Sequence, residues 1–206
     1  MKVFYVDTSS SCLYAGITED NNLIAEVKEE LGHDMSKFAM PRIADLFNKS
    51  DISPKSIDKI IVVNGPGSFT GIRIGLTIAK VYAWALNIPI TTISSLEAMA
   101  YSYCRKSVRI PIIDARRNYS YAAIYDGDKT ILKPSYIENQ KLLTYIEKLD
   151  GCVLITNDDI KIELEKVKYD PNILDIVEKF SSRDNINPHL VNPEYLKLTE
   201  AEESKI

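Results

Sequence analysis

The stretches "DTSSSCLYAGI" (Asp7–Ile17) and "DARRNYSYAAI" (Asp114–Ile124) decide how this chain is read. Each opens on an aspartate, each carries a Tyr-Ala pair at the same offset (Tyr14-Ala15, Tyr121-Ala122), and Ile17 matches Ile124. With apolar runs on either side, both read as strand, turn, strand. A hairpin of this kind followed by helical pattern, met twice at a long interval, favours duplication of one α/β unit over a short-period solenoid, with chance likeness between two hairpins as the alternative.

Working outward, Lys2–Asp7, Leu13–Thr18 and Leu23–Lys28 predict an antiparallel meander with Ser-rich and Asp-Asn-Asn turns. A helical pattern covers Asp34–Asn48, where Pro41 removes a backbone donor and predicts a kink or two shorter pieces. Ile57–Val63 is the next strand, a long helix follows to Leu86, and Ile90–Ile93 returns as a strand. The first half therefore reads βββαβα with a closing strand. In the second half, helices are expected at Glu138–Leu149, Asp158–Lys166 and Asn172–Phe180, with a strand at Val153–Thr156.

The chain has 206 residues, 45% hydrophobic and 26% charged, which is enough for a real core without disulfides and far from the composition of a disordered chain. The apolar run before Asp7 is too short for a signal-peptide core, and no run of about 18 apolar residues occurs, so a cytoplasmic protein is expected. Cys12, Cys104 and Cys152 are odd in number and lack C-x-x-C spacing, which speaks against structural disulfides and thiolate zinc and for plain packing. A formal charge of −4 provides no footprint for nucleic acid, so any RNA must be held mostly by another molecule.

"GPGSFTGIR" offers Gly65, Gly67 and Gly71 for unusual backbone conformations, and Ser68 and Thr70 as hydroxyls at a helix start. Such a loop can cradle an anion, and it can equally be a capped strand-to-helix turn; it matches neither the Walker pattern nor G-x-G-x-x-G. From Arg73 to Leu86 the helix is apolar nearly all round, and Gly75, Ala79 and Ala83 form a small-residue stripe. Either a neighbouring helix of the same chain or a helix of a partner protein fills that stripe. Asp7, Thr8 and Ser9, with Asp114, could position a metal-bound phosphate or serve as ordinary turn residues. His33 is followed one helical turn later by Lys37, so no histidine pair can clasp a metal from one helix face, and "GHDMS" around His33 shows no nucleophile-elbow spacing.

"FYVDTSSSCLYAGI", "NGPGSFTGIRIGLTIAKVYAWAL", "SLEAMA", "DARRNYSYAAIY" and the terminal "NPEYLKLTEAE" resemble the TsaB (YeaZ) family of tRNA threonylcarbamoyladenosine biosynthesis proteins. The likeness runs from the first strand to the last residues and is weakest over 140–188. It implies an α/β actin-like (ASKHA, ribonuclease-H-like) fold of two related lobes, here 1–105 and 106–206. It also implies no catalytic residue, metal or cofactor of its own, and a role as obligate partner of TsaD, the transferase that modifies the adenosine next to the tRNA anticodon.

TsaD-like chains carry a metal-binding histidine pair where this one has His33 and Lys37. By the same resemblance, the partner interface falls on Met35, Phe38, Arg73, Gly75, Leu76, Ala79, Lys80 and Ala83. Asp7, Thr8, Ser9 and Asp114 become a vestigial phosphate loop, and a nucleotide is expected only at the joint surface with the partner. A TsaE-like ATPase joins the assembly, tRNA is met only through the complex, and the chain alone can form a homodimer. The competing readings are a stand-alone ATPase or glycoprotease-like hydrolase acting through Asp7, Thr8 and Asp114, and a direct RNA-binding module. Whether Arg116 and Arg117 touch tRNA or cap a lobe stays open.

Overall fold

A computed structural model describes residues 1–103 and 107–197. The expected lobe boundary at 105/106, Cys104, and the part of the terminal motif from Leu198 onward lie outside the described residues. Strands β1 (Lys2–Asp7), β2 (Cys12–Glu19), β3 (Asn22–Glu30), β4 (Lys59–Val63) and β5 (Ile90–Ile93) form one sheet in the order β3-β2-β1-β4-β5. Strands β6 (Val108–Asp114), β7 (Tyr119–Asp126), β8 (Lys129–Glu138), β9 (Cys152–Ile155) and β10 (Glu165–Val167) form a second, in the order β10-β9-β6-β7-β8. In both, the first strand pairs antiparallel with the second and parallel with the fourth. The sheets share one topology, and the fold is α/β, two-lobed and actin-like.

Helices α1 (Met35–Ser50) and α2 (Phe69–Leu86) cover the outer face of the first sheet, and α4 (Asn139–Ile146) covers that of the second. Between the sheets lie α3 (Ser95–Tyr101) and α5 (Ile173–Phe180), whose Leu96, Met99, Ile173 and Ile176 share a core with Val3, Tyr5, Ala123 and Tyr125. Each lobe thus lends a helix to the other's sheet, because a sheet apolar on both faces needs cover on both. Beyond Phe180 the chain returns to the first lobe: Ile186 bridges to Ile90, and the buried Lys59 ammonium donates to the carbonyls of Ser181 and Arg183.

Three local readings need correction. α1 runs unbroken through Pro41, which sits on its exposed side, while Ala39, Ile43, Leu46 and Phe47 hold the helix to the sheet. The helix expected at Asp158–Lys166 is absent; Ile160 and Ile162 are buried at alternate positions, a strand period, and lead into β10. The short α3, fixed by a capping box in which Ser94 N donates to Glu97 Oε2 at 2.9 Å, was not anticipated as a helix. No described helix is long and apolar enough to cross a membrane.

Candidate functional site

The glycine loop and α2 are built around the turn that follows β1. Ser68 caps the helix, its hydroxyl accepting from Gly71 N at 3.2 Å, while its own N–H donates to Ser9 O at 2.7 Å. Thr8 Oγ1 donates to Gly71 O at 2.7 Å, and Ser9 N donates to Asp7 Oδ1 at 2.7 Å. A methyl group at Gly67 or Gly71 would overlap the carbonyl oxygen of Ser9 or Thr8, and one at Gly75 would overlap the Thr8 hydroxyl. Gly65, at φ 116°, lies against the Glu194 carbonyl of the returning chain. Thr8 Oγ1, Ser9 N, Ser68 N and Gly71 N are therefore spent inside the protein, and Gly67, Gly71 and Gly75 seat the Asp7–Ser9 turn. Thr70 faces outward instead.

This seat corrects the reading of the small-residue stripe. Gly75, Ala79 and Ala83 point at this chain's own strands and the Thr8 turn, and Ala79 is fully buried. Of the eight expected interface residues, five (Met35, Gly75, Leu76, Ala79 and Ala83) are enclosed by their own lobe. Lys80 ties α2 to the returning chain by donating to Val191 O at 2.8 Å, Phe38 is half-buried beneath Lys37, and Arg73 is exposed.

What α2 offers outward is the opposite face. Thr70, Arg73, Thr77, Val81 and Trp84 recur every three or four residues, with Val81 55% and Trp84 68% exposed. Phe69 is 57% exposed and Met40 of α1 42%. The Arg73 guanidinium lies 3.9 Å from the Phe69 ring and donates through Nε to Tyr195 Oη at 3.0 Å; Phe69 and Tyr195 stack at 5.7 Å. Grooves of about 450 Å³ and 560 Å³ flank α2, one toward Ser36 and Met40, the other toward Val191 and Tyr195. Val81 and Trp84, on the side away from the small stripe, were the sequence signal for this face.

A cleft of about 480 Å³ opens between the lobes, lined among others by Ser9, Ser68, Asp114, Arg116, Asp158 and Tyr169. Asp7 lies below it, 1% exposed, and its Oδ2, Tyr5 Oη and Tyr169 Oη are buried without a hydrogen bond of ordinary geometry among the described residues. Burial raises the Asp7 carboxyl above its ordinary value, and it lifts both phenols further. Asp114 is exposed, its Oδ1 accepting from Arg116 N at 2.9 Å. The structure thus places Ser9 and Asp114 on one cleft and Asp7 in the interior. His33 and Lys37 are exposed at the start of α1.

The model of the family described as TsaD, tRNA N6-adenosine threonylcarbamoyltransferase, matches residues 27–202. The chain is 32% identical to the tRNA threonylcarbamoyladenosine biosynthesis protein TsaB of Bacillus subtilis, over 98% of this chain and 96% of that one. It is 28% identical to TsaB of Escherichia coli, over 68% and 66%. Among solved structures, YeaZ from Pseudomonas aeruginosa superposes with a TM-score of 0.73 at 18% identity, covering 95% of this chain and 99% of that one. A protein described as similar to peptidase YeaZ, from the same organism, superposes at 0.81 with the same identity and coverage.

Proposed function

Because the chain belongs to the TsaB (YeaZ) family, we propose that it serves tRNA threonylcarbamoyladenosine formation as a non-catalytic partner, binding a TsaD-like threonylcarbamoyltransferase through the outer face of α2. The observation that carries this is the exposed Met40, Phe69, Val81 and Trp84 surface, held rigid from behind by the glycine seat and flanked by two grooves. Exposed tryptophan, arginine and tyrosine beside an apolar groove are the residue types that dominate interface energetics. The burial of Asp7 and the internal use of its loop's donors support a role that makes and breaks no bond. The chain's contribution is then a binding free energy that favours the competent conformation of the transferase.

On the same reading, the face pairs two copies when the transferase is absent, a TsaE-like ATPase joins the assembly, and a nucleotide enters only at the joint surface. The test is light scattering on mixtures of this chain with the TsaD-like protein of the same organism. Trp84→Asp is expected to weaken the heterodimer by about thirtyfold or more, the scale of a central interface residue. Its melting temperature should stay within a degree or two of the parent's, since the side chain is 68% exposed. A heterodimer of undiminished affinity in that variant would exclude this face. Ala79→Arg is the folding control, because its charge would be forced into the lobe's interior.

A further inference from the structure

Six arginines stand among the described residues. Four are engaged: Arg42 with Glu29, Arg183 with Glu97, Arg73 with Tyr195 and Phe69, and the buried Arg109 with the carbonyls of Ala100 and Gly127. Arg116 and Arg117 are the two whose guanidinium groups, among the described residues, have no hydrogen bond or ion pair, and they are adjacent and exposed. With Asn118 they form three successive non-glycine residues at positive φ, 65°, 54° and 62°. L-residues resist that conformation, so the surroundings must impose it.

They do so from several sides. Asp114 Oδ1 accepts from Arg116 N at 2.9 Å, Asp158 Oδ2 accepts from Asp114 N at 2.7 Å, and Asn139 N donates to Asn118 O at 2.8 Å. At the base of the turn, the Tyr119 and Tyr136 rings stack at 4.7 Å, Tyr121 leans on Tyr136 at 5.6 Å, and Lys197 Nζ sits 5.4 Å from the Tyr136 centroid. A stiff ribbon end thus presents two guanidinium groups unpaired among the described residues, Arg116 at the mouth of the inter-lobe cleft and Arg117 beside it, while Asp114 and Asp158 accept from backbone amides. Planar forks of this kind match phosphate oxygens.

We infer that Arg116 and Arg117 contact phosphates of the substrate RNA in the assembled complex, an inference that rests on the proposed partnership with a tRNA-modifying transferase. RNA is favoured over a mononucleotide because both side chains are exposed on the turn and Arg117 does not line the cleft. The chain's net charge of −4 makes this an added contact to a site built mainly by the partner.

The experiment is tRNA affinity of the assembled complex across a potassium chloride series. The double variant Arg116→Gln, Arg117→Gln should bind about tenfold more weakly near ~0.1 M salt, with a log–log salt slope shallower by about 1.4, two contacts at ~0.7 each for single strands. Arg116→Lys with Arg117→Lys should keep most of the slope. Arg116→Gly with Arg117→Gly should lose as much as the glutamine pair, although glycine accepts the left-handed turn, which separates lost charge from lost folding. Unchanged affinity and slope in the glutamine and glycine variants, with the mass of the complex intact, would overturn the inference. So would a loss of ATP binding without loss of tRNA binding. Failure of the underlying partnership shows differently: the parent chain does not co-elute with the transferase, and both proposals fall.

Discussion

The two aspartate-headed turns start from matching sequence and end as different devices. Across the first hairpin Asp7 faces Tyr14; across the second Asp114 faces Ser120, and Tyr121 is opposite Ile113. The pairing has slipped by one residue. Because side chains alternate along a strand, Asp7 joins Val3 and Tyr5 on the face toward the other lobe, whereas Asp114 falls in phase with Ile110 and Ile112 of the outer core. The first turn is filled by Gly67, Gly71 and Gly75 and becomes the anchor of α2. The second is left open, wound left-handed, and carries two cations unpaired among the described residues. The two sheets offer one frame twice, and the neighbours of each turn set what it becomes.

The largest effect should come from unseating the anchor. In Gly71→Ala the new methyl group overlaps the Thr8 carbonyl oxygen, which belongs to backbone at the end of the central strand β1 and cannot swing away. We expect a loss of about 3 kcal/mol or more in urea unfolding, even after the roughly 1 kcal/mol that alanine gains over glycine in a helix. A midpoint at or above the parent's would show that the glycines do not define this turn, and the contrast with the second would lose its cause.

Much of this was legible beforehand, and the failures are specific. The Tyr-Ala spacing exposed the repeat because β2 and β7 keep the same phase, with Tyr14 and Tyr121 both facing the central core. The slip at Asp114 was hidden, since the parity of a strand is set by a partner that spacing does not reveal. The stripe of Gly75, Ala79 and Ala83 predicts close approach of a helix, whereas its occupant includes Thr8, more than sixty residues away in sequence. Small residues declare a void and are silent about what enters it. The exposed face was readable from Thr77, Val81 and Trp84, yet an all-round apolar helix conceals which side its own sheet will take.

A smaller effect should follow the buried carboxylate. Burial raises the Asp7 carboxyl in the folded chain above the ordinary value of 3.8. The folded state therefore retains that proton where the unfolded chain has released it, and this contribution to stability declines as pH rises from the ordinary aspartate range through the raised value. Asp7→Asn keeps an oxygen for Ser9 N and removes the titration. Relative to the parent, the variant should gain stability as pH rises from the ordinary aspartate range through the raised value, and keep that gain to neutrality. A variant that instead loses stability at pH 7 would mean that the first turn still needs its charge, and the two aspartates would differ less than their burial suggests.

The smallest effects belong to the open turn, where order matters more than size. Arg117→Gly exchanges a branched backbone at φ 54° for one indifferent to the sign of φ, and no side-chain bond is lost among the described residues. Relief of the left-handed penalty is partly offset by the greater freedom of glycine in the unfolded chain, which leaves a gain of about 0.5–1 kcal/mol. Asn118→Gly should gain less, because asparagine already tolerates φ 62°. A measured gain larger at Arg117 than at Asn118, with tRNA affinity reduced only by the arginine change, would mean that the turn retains arginine against its own backbone preference. Equal gains, or losses at both positions, would mean that the left-handed turn stores no strain, and the contrast between the hairpins would then rest on register, burial and charge.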